Sequence, residues 1–254
     1  NPVNGVLVTG LDICQSFPDE PAPLVIRDQC VHAIDDYFAS NGRVALVEGV
    51  SGVGKTVLMT QVARHYENNC ICLFVNGANK WTYHIDVCLY DLYNQIHWAI
   101  EGTEYKDDRG VNEASIAQIM LKLRNQARKD NRDYIFVLDG LDQIPSDQAT
   151  NTRAKLWELL RWEYHNFKFV ISTGNKTPIR VQDIDAGLDY KPFPVYPFSR
   201  EECRQYLADL SLDYHLVDGV SRACRFMPRL LSRAAKRLRL DTCDANSIRG
   251  LIDK

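Results

Sequence analysis

Val44-Ala45-Leu46-Val47-Glu48-Gly49-Val50-Ser51-Gly52-Val53-Gly54-Lys55-Thr56 is the stretch whose reading decides the fold. A short apolar run enters G-x-x-x-x-G-K-[ST], filled by Gly49, Gly54, Lys55 and Thr56, and a helical pattern follows. Strand, glycine-rich turn and helix, in that order, make an anion cradle. Glycines let backbone N–H groups turn inward and approach phosphate oxygens. The helix N-terminus behind them favours negative charge. In such a loop the lysine, here Lys55, reaches the β- and γ-phosphates, and the hydroxyl of Thr56 binds Mg²⁺. The expected nucleotide-contacting segment is therefore Gly49, Val50, Ser51, Gly52, Val53, Gly54, Lys55, Thr56 and the adjoining Val57. Two rival motifs fail on single residues. A dinucleotide-binding G-x-G-x-x-G from Gly52 needs glycine where Val57 stands. A G-x-S-x-G nucleophile elbow around Ser51 needs glycine where Val53 stands.

A second signal lies downstream in Tyr134-Ile135-Phe136-Val137-Leu138-Asp139-Gly140-Leu141-Asp142. Five apolar residues ending in Asp place a carboxylate at the carboxyl end of a buried strand, where α/β sheets bind ligands. Asp139 is expected to orient the Mg²⁺ shell as a metal ligand together with Thr56. Asp142 is expected to orient the attacking water or to reach the metal through a water. Lys55, Asp139 and Asp142 thus form the candidate catalytic set, because phosphoryl transfer is chiefly positioning and charge stabilisation.

Apolar runs and helical patterns alternate along most of the chain. Helices are expected over 28–39, 55–66, 84–100, 112–129 and 152–164, and strands over 44–47, 71–75, 134–138, 169–171 and 193–196. Continuous apolar strands between helices indicate a parallel sheet covered on both faces. Residues 1–23, rich in proline and poor in periodicity, read as a lead-in segment before an α/β core over 24–198. At Ser199 the pattern changes. Ser199 and Glu202 form a capping box, and only helices are expected from there to residue 254, a small helical lid. The inner faces predicted are Cys30, Ile34, Tyr37 and Phe38 for the first helix and Val57, Leu58, Val62 and Ala63 for the helix after the glycine loop.

Composition removes other classes. With 254 residues and a net charge of −3, the chain carries no global basic field that would advertise nucleic acid. No run of eighteen uncharged apolar residues occurs, so no membrane span is expected. The start, Asn1-Pro2-Val3-Asn4, lacks Met and resembles no signal or transit peptide, which suggests an excised domain or a processed product. The eight cysteines show no CxxC spacing and read as reduced, buried thiols of a cytoplasmic protein. Trp81, Tyr83, Trp98, Trp157 and Trp162 read as core or interface packing. Arg222, Arg225, Arg229, Arg233, Lys236, Arg237 and Arg239 fall in an acid-free stretch and read mainly as the solvated face opposite Phe226, Leu230, Leu231, Ala234 and Leu238.

The order of phosphate loop, intervening strand, Asp139-Gly140-Leu141-Asp142 and Val170-Ile171-Ser172-Thr173 resembles the STAND class of AAA+-related NTPases, which contains the NACHT and NB-ARC domains. That resemblance implies a five-stranded sheet of order 5-1-4-3-2, a helical lid, ATP (or dATP and ADP) with Mg²⁺, and a nucleotide-driven switch. It also implies flanking domains of a larger chain and nucleotide-dependent self-association. Val25-Ile26-Arg27-Asp28 is similar to the family's adenine-bordering segment, which makes Arg27 a candidate base neighbour. Ser172-Thr173 falls at the sensor-1 position, with Gly174 where an arginine often stands, so that Thr173, Asn175 or Lys176 would take over γ-phosphate sensing. Phe226-Met227-Pro228 resembles the lid's G-x-P, with Phe226 in place of the glycine; Pro228 would touch the base. Arg229 stands where origin-licensing initiators place a sensor-2 arginine. Gly140 stands where processive AAA+ enzymes carry a glutamate, which implies slow hydrolysis. The absence of an N-K-x-D motif lowers GTP. Three readings follow: a regulatory ATP/ADP switch module, a DNA-associated AAA+ ATPase of the initiator type (nuclear rather than cytoplasmic), and an idle scaffold that retains nucleotide.

Overall fold

The computed structural model describes residues 9–106, 110–161, 163–174 and 189–240. Trp162, Asn175, Lys176, Cys243 and the expected helical residues from 241 onward lie outside them. Five parallel strands form one sheet in the order β2-β3-β4-β1-β5, which is 5-1-4-3-2 read from the other edge. The strands are β1 (Val44–Glu48), β2 (Cys70–Phe74), β3 (Tyr134–Asp139), β4 (Phe167–Thr173) and β5 (Tyr190–Pro194). Because β4 lies between β1 and β3, the glycine loop after β1 and Asp139 at the end of β3 reach the same carboxyl edge.

The pleat distributes each strand between two cores. Val44 and Leu46 of β1, Ile71 and Leu73 of β2, and Phe136 and Leu138 of β3 enter the core on one face. That face is covered by α3 (Ile85–Glu101), α4 (Glu113–Asp130) and α5 (Ser146–Leu159). Ala45, Val47, Cys70, Cys72, Ile135 and Val137 enter the opposite core under α1 (Asp28–Ala39) and α2 (Lys55–His65). β5 is an edge strand, and this is why it can hold Pro192 and Pro194, which lack an N–H to donate to a ladder. It begins and ends earlier than the expected 193–196, since those prolines mask its pattern.

Several expectations need correction. α5 spans Ser146–Leu159 rather than 152–164; the chain leaves it at Leu160 and turns left-handed at Arg161, φ +53°. Val31 joins the inner face of α1, where Cys30 and Tyr37 pack against the core half-buried, and Met59 takes the inner position expected of Val57. Trp81 is 62% exposed instead of packed. The lead-in is part of the core: Leu11 and Cys14 are buried, packed beside β2 and α3, and the backbone N–H of Gln15 and the hydroxyl of Ser16 bond Asp91 of α3 at 3.0 Å each. The outer edge of β2 is closed by side chains, with Cys72 N–H donating to Gln95 at 2.8 Å and Phe74 N–H to Ser16 at 3.1 Å. Six of the seven described cysteines are buried.

The lid is helical, as the capping box predicts. Ser199 Oγ accepts from Glu202 N–H at 3.1 Å and Glu202 Oε2 accepts from Ser199 N–H at 2.6 Å, opening α6 (Arg200–Leu207). α7 (Tyr214–Ala223) and α8 (Pro228–Leu240) follow. Their core holds Phe198, Cys203, Leu207, Val220, Leu231 and Ala235, with Val25 from the segment before α1. On α8 it is Ala235 rather than Leu230 that is buried; Leu230 is exposed. The basic residues span two helices and a turn. Arg222 pairs with Asp218 on α7 and Arg239 with Asp209, each within 2.8 Å, which accounts for part of the stretch as solvated ion pairs.

Candidate nucleotide site

One cavity of about 750 Å³ opens between the carboxyl edge of the sheet and the lid. A volume of that order suits a small organic ligand. Its lining includes Val50, Ser51, Gly52, Gly54, Lys55, Thr56 and Val57 of the loop, Asp139, Asp142, Gln143, Ser172 and Gly174 of neighbouring strand ends, and Pro228, Arg229 and Ser232 of the lid. Pro21, Pro23, Val25, Arg27, Phe198 and Tyr206 complete it. The site residues expected from sequence therefore converge, except that Gly49 and Val53 act from behind the wall. Val53 is fully buried, and a Cβ on Gly49 would come within 2.8 Å of it. Val57 belongs to the cavity and not to the core.

The loop is built by backbone conformations that favour glycine. Gly52 and Gly54 sit at φ +84° and +96°, and Gly54 is the N-cap of α2. Lys55 Nζ donates to the carbonyls of Gly49 at 2.7 Å and Val50 at 3.3 Å, so its ammonium lies across the loop. The lid closes directly on this turn. Arg229 N–H donates to Gly52 O at 3.1 Å, and a Cβ on Gly52 would lie 2.9 Å from Arg229 Cβ. Only glycine leaves room for that approach.

Asp139 is the buried acid of the site, 3% exposed. Thr56 Oγ1 donates to its Oδ2 at 2.7 Å, and the Ser172 hydroxyl donates to its Oδ1 in a short bond. Burial pushes its carboxyl above the usual range; the Ser172 and Thr56 hydrogen bonds draw it back, Asp142 adds to the rise and Lys55 opposes it. A hydroxyl and a carboxylate held together at the phosphate end make a hard-oxygen donor set that fits Mg²⁺, which uses one or two carboxylates plus phosphate oxygens. Thr56 and Asp139 would hold the ion, and it would neutralise phosphate charge there.

Three positions depart from the expected motif pattern, and each has a local surrounding that bears on it. Gly140 adopts φ +74°, and a Cβ would collide with the Val75 carbonyl, so no glutamate fits there without backbone movement. A Cβ on Gly174 would meet the Asp142 carboxylate, so any larger residue at that position requires the Asp142 side chain to turn aside. Phe226, in place of the lid glycine, has φ +57°, the left-handed region in which glycine is at ease. Its backbone bonds hold the turn: its N–H donates to Ser221 O and its carbonyl accepts from Phe198 N–H, both at 2.8 Å.

Sequence reasoning missed Gln61, Phe198, Tyr206, Gln143 and Ser232. Gln61 carried a signal, since it lies four residues after Val57 on the same helical stripe. Its amide grips the segment before α1 twice, accepting from Arg27 N–H and donating to Val25 O, both at 2.9 Å.

The parallel sheet, the glycine loop and the buried acid at the end of β3 together define a phosphate-loop NTPase fold. Residues 29–173 match the model of the family described as Nephrocystin 3, N-terminal, which is more than half of the chain, and the chain belongs to that family. The match ends at the tip of β4, before the lid. Among solved structures, Cdc6p from Pyrobaculum aerophilum is similar over 87% of this chain and 64% of that one, with TM-score 0.53 and 15% identity. The Orc1 protein of Aeropyrum pernix in complex with DNA is similar over 91% and 65%, with TM-score 0.54 and 16% identity. A STAND protein with a tetratricopeptide repeat sensor from Pyrococcus horikoshii matches over 93% and 33%, with TM-score 0.44 and 14% identity. The chain thus spans just under two thirds of the first two, and at these identities the likeness is one of fold. No curated protein matches the sequence. No described helix is long and apolar enough to cross a membrane.

Proposed function

We propose that the chain is an ATP/ADP-binding regulatory module with slow Mg²⁺-dependent hydrolysis, whose lid angle reports which nucleotide is bound. The observation that carries this reading is the two-sided cavity. Its phosphate end is the loop, Thr56 and Asp139; its other wall is the lid's Pro228 and Arg229, bonded to the loop through Gly52. A ligand touching both bodies favours one angle between them only through differential contacts, and a γ-phosphate supplies such a difference. Lys55, Thr56 and the loop amides bind phosphate, Asp139 and Thr56 hold the metal, and Asp142 orients water. Arg27 and Pro228 border the base, and Arg229 reaches the phosphates from the lid. Slow turnover follows from Gly140, which leaves no carboxylate at the position directly after Asp139 in the chain. Steady-state phosphate release tests this: turnover well below the enzyme median of about 10 s⁻¹, with tight binding of both ATP and ADP, supports a switch. Turnover near that median would support a motor instead.

The second reading is a DNA-associated ATPase of the initiator type. Arg225, Arg233, Lys236 and Arg237 favour it, all exposed along or beside α8. So does the fold likeness to an Orc1 protein solved with DNA. Duplex DNA binding that weakens steeply with salt would support it. No binding at low salt removes it.

A further inference from the structure

We infer that Gln61, Arg27 and Glu202 form a relay that couples the helix behind the phosphate loop to the first helix of the lid, with Arg27 as its positioning residue. The inference rests on the nucleotide-binding reading and adds a connection that the loop and metal residues do not contain. Gln61 stands on α2, less than two turns after Lys55 and Thr56. Both ends of its amide are used on the backbone of Val25 and Arg27, so any tilt of α2 carries that segment with it. The guanidinium of Arg27, 9% exposed, then crosses to the lid side. Its Nη2 donates to Tyr196 O at 3.1 Å, its Nε lies 3.4 Å from Glu202 Oε1, and its plane stands 5.0 Å from the centre of the Phe198 ring.

Glu202 has two tasks, one for each oxygen. Oε2 accepts from Ser199 N–H in the capping box that starts α6, while Oε1 faces Arg27. The group that defines where the lid's first helix begins is therefore tied to the core by a largely buried cation. Burial makes the pair directional as well as attractive, because a guanidinium held by a carbonyl, a carboxylate and a ring face has one orientation that satisfies all three. Arg27 thus bears on lid placement, with its guanidinium held between Tyr196 O, the Phe198 ring and Glu202.

The test compares Arg27→Met, Glu202→Gln and the double variant. Glu202→Gln keeps an acceptor for Ser199 N–H, so the cap survives while the charge is lost. Calorimetry with Mg-ATP and with inorganic tripolyphosphate weighs lid-dependent against loop-dependent binding. The expected result is a loss of about tenfold in ATP affinity in each single variant, no further loss in the double, and a smaller loss for tripolyphosphate, which meets the lid through Arg229 alone. Amide exchange across α6 should also rise in both single variants without ligand, as their common hinge contact is gone. Wild-type ATP affinity in both variants, or additive losses, overturns the relay while leaving nucleotide binding intact. Failure of the wild type to bind either ligand overturns the nucleotide reading itself, and the relay with it.

Discussion

Gly140→Ala isolates a backbone requirement on which the slow-switch reading depends. The residue follows Asp139 and turns the chain at φ +74° and ψ 13°. An alanine in the left-handed region costs roughly 1–2 kcal/mol. Its Cβ would also overlap the Val75 carbonyl and lie 3.0 Å from Gln143 Nε2. Neither side yields freely. Val75 N–H donates to Asp139 O at 2.9 Å, Gln143 N–H to Gly140 O at 2.8 Å, and Gly140 N–H to Ser172 Oγ at 3.1 Å. Relieving the overlap sacrifices at least one of these bonds, worth about 0.5–1.5 kcal/mol each. The sum is a loss of about 1.5–3.5 kcal/mol, which for a domain of this size lowers Tm by roughly 3–14 °C. Urea denaturation followed by circular dichroism gives the number. Gly140→Asn, which tolerates positive φ better, keeps the overlap and should lose less than alanine. Stability of Gly140→Ala within about 0.5 kcal/mol of wild type, the range of an ordinary surface change, would refute the reasoning.

Other expectations follow from the same geometry. Asp139→Asn removes the charge from the metal donor set, so nucleotide should still bind but lose its Mg²⁺ dependence in titrations with and without the ion. Since burial raises the folded carboxyl of Asp139 above its unfolded value, the folded state holds the proton longer. Its contribution to stability is therefore present at low pH and is lost as pH rises through the folded value. Asp139→Asn should accordingly be more stable than wild type at neutral pH without metal, and denaturation across pH 3–8 checks the sign. Asp91→Ala leaves the Gln15 N–H, the Ser16 hydroxyl and the Gln95 amide without their acceptor, at a cost of about 2–4 kcal/mol. It should also make the segment before α1 the first site of limited proteolysis.

The sheet was legible because four of its strands are short apolar runs next to helical patterns; β5 was placed late, since Pro192 and Pro194 break its pattern. Its order came only with the resemblance, through the phosphate loop and the Asp139-Gly140-Leu141-Asp142 strand end. The loop, Asp139 and the lid's start at Ser199 are local motifs, and local motifs survive folding. What stayed hidden depends on distant partners. The segment around Leu11 and Cys14 looked like a lead-in because its role lies in meeting Asp91, more than seventy residues away. Phe198 and Tyr206 have no positional signature, since the lid's packing alone brings them to the cavity. Gly140 and Gly174 were read as missing side chains; the structure shows occupied space, filled by the Val75 carbonyl and the Asp142 carboxylate. Phe226 is the reverse case, a side chain in a backbone conformation where the motif predicts glycine.

Calorimetric titration of Mg-ATP and Mg-ADP into wild type and Lys55→Ala tests the central claim most directly. Lys55 lies across the loop on the carbonyls of Gly49 and Val50, in the cavity wall and remote from the hydrophobic cores, so the variant should fold with wild-type circular dichroism. Saturable binding of both nucleotides to wild type and its loss in Lys55→Ala is the predicted result. Equal affinity in the two proteins would contradict the assignment of this loop as the nucleotide site.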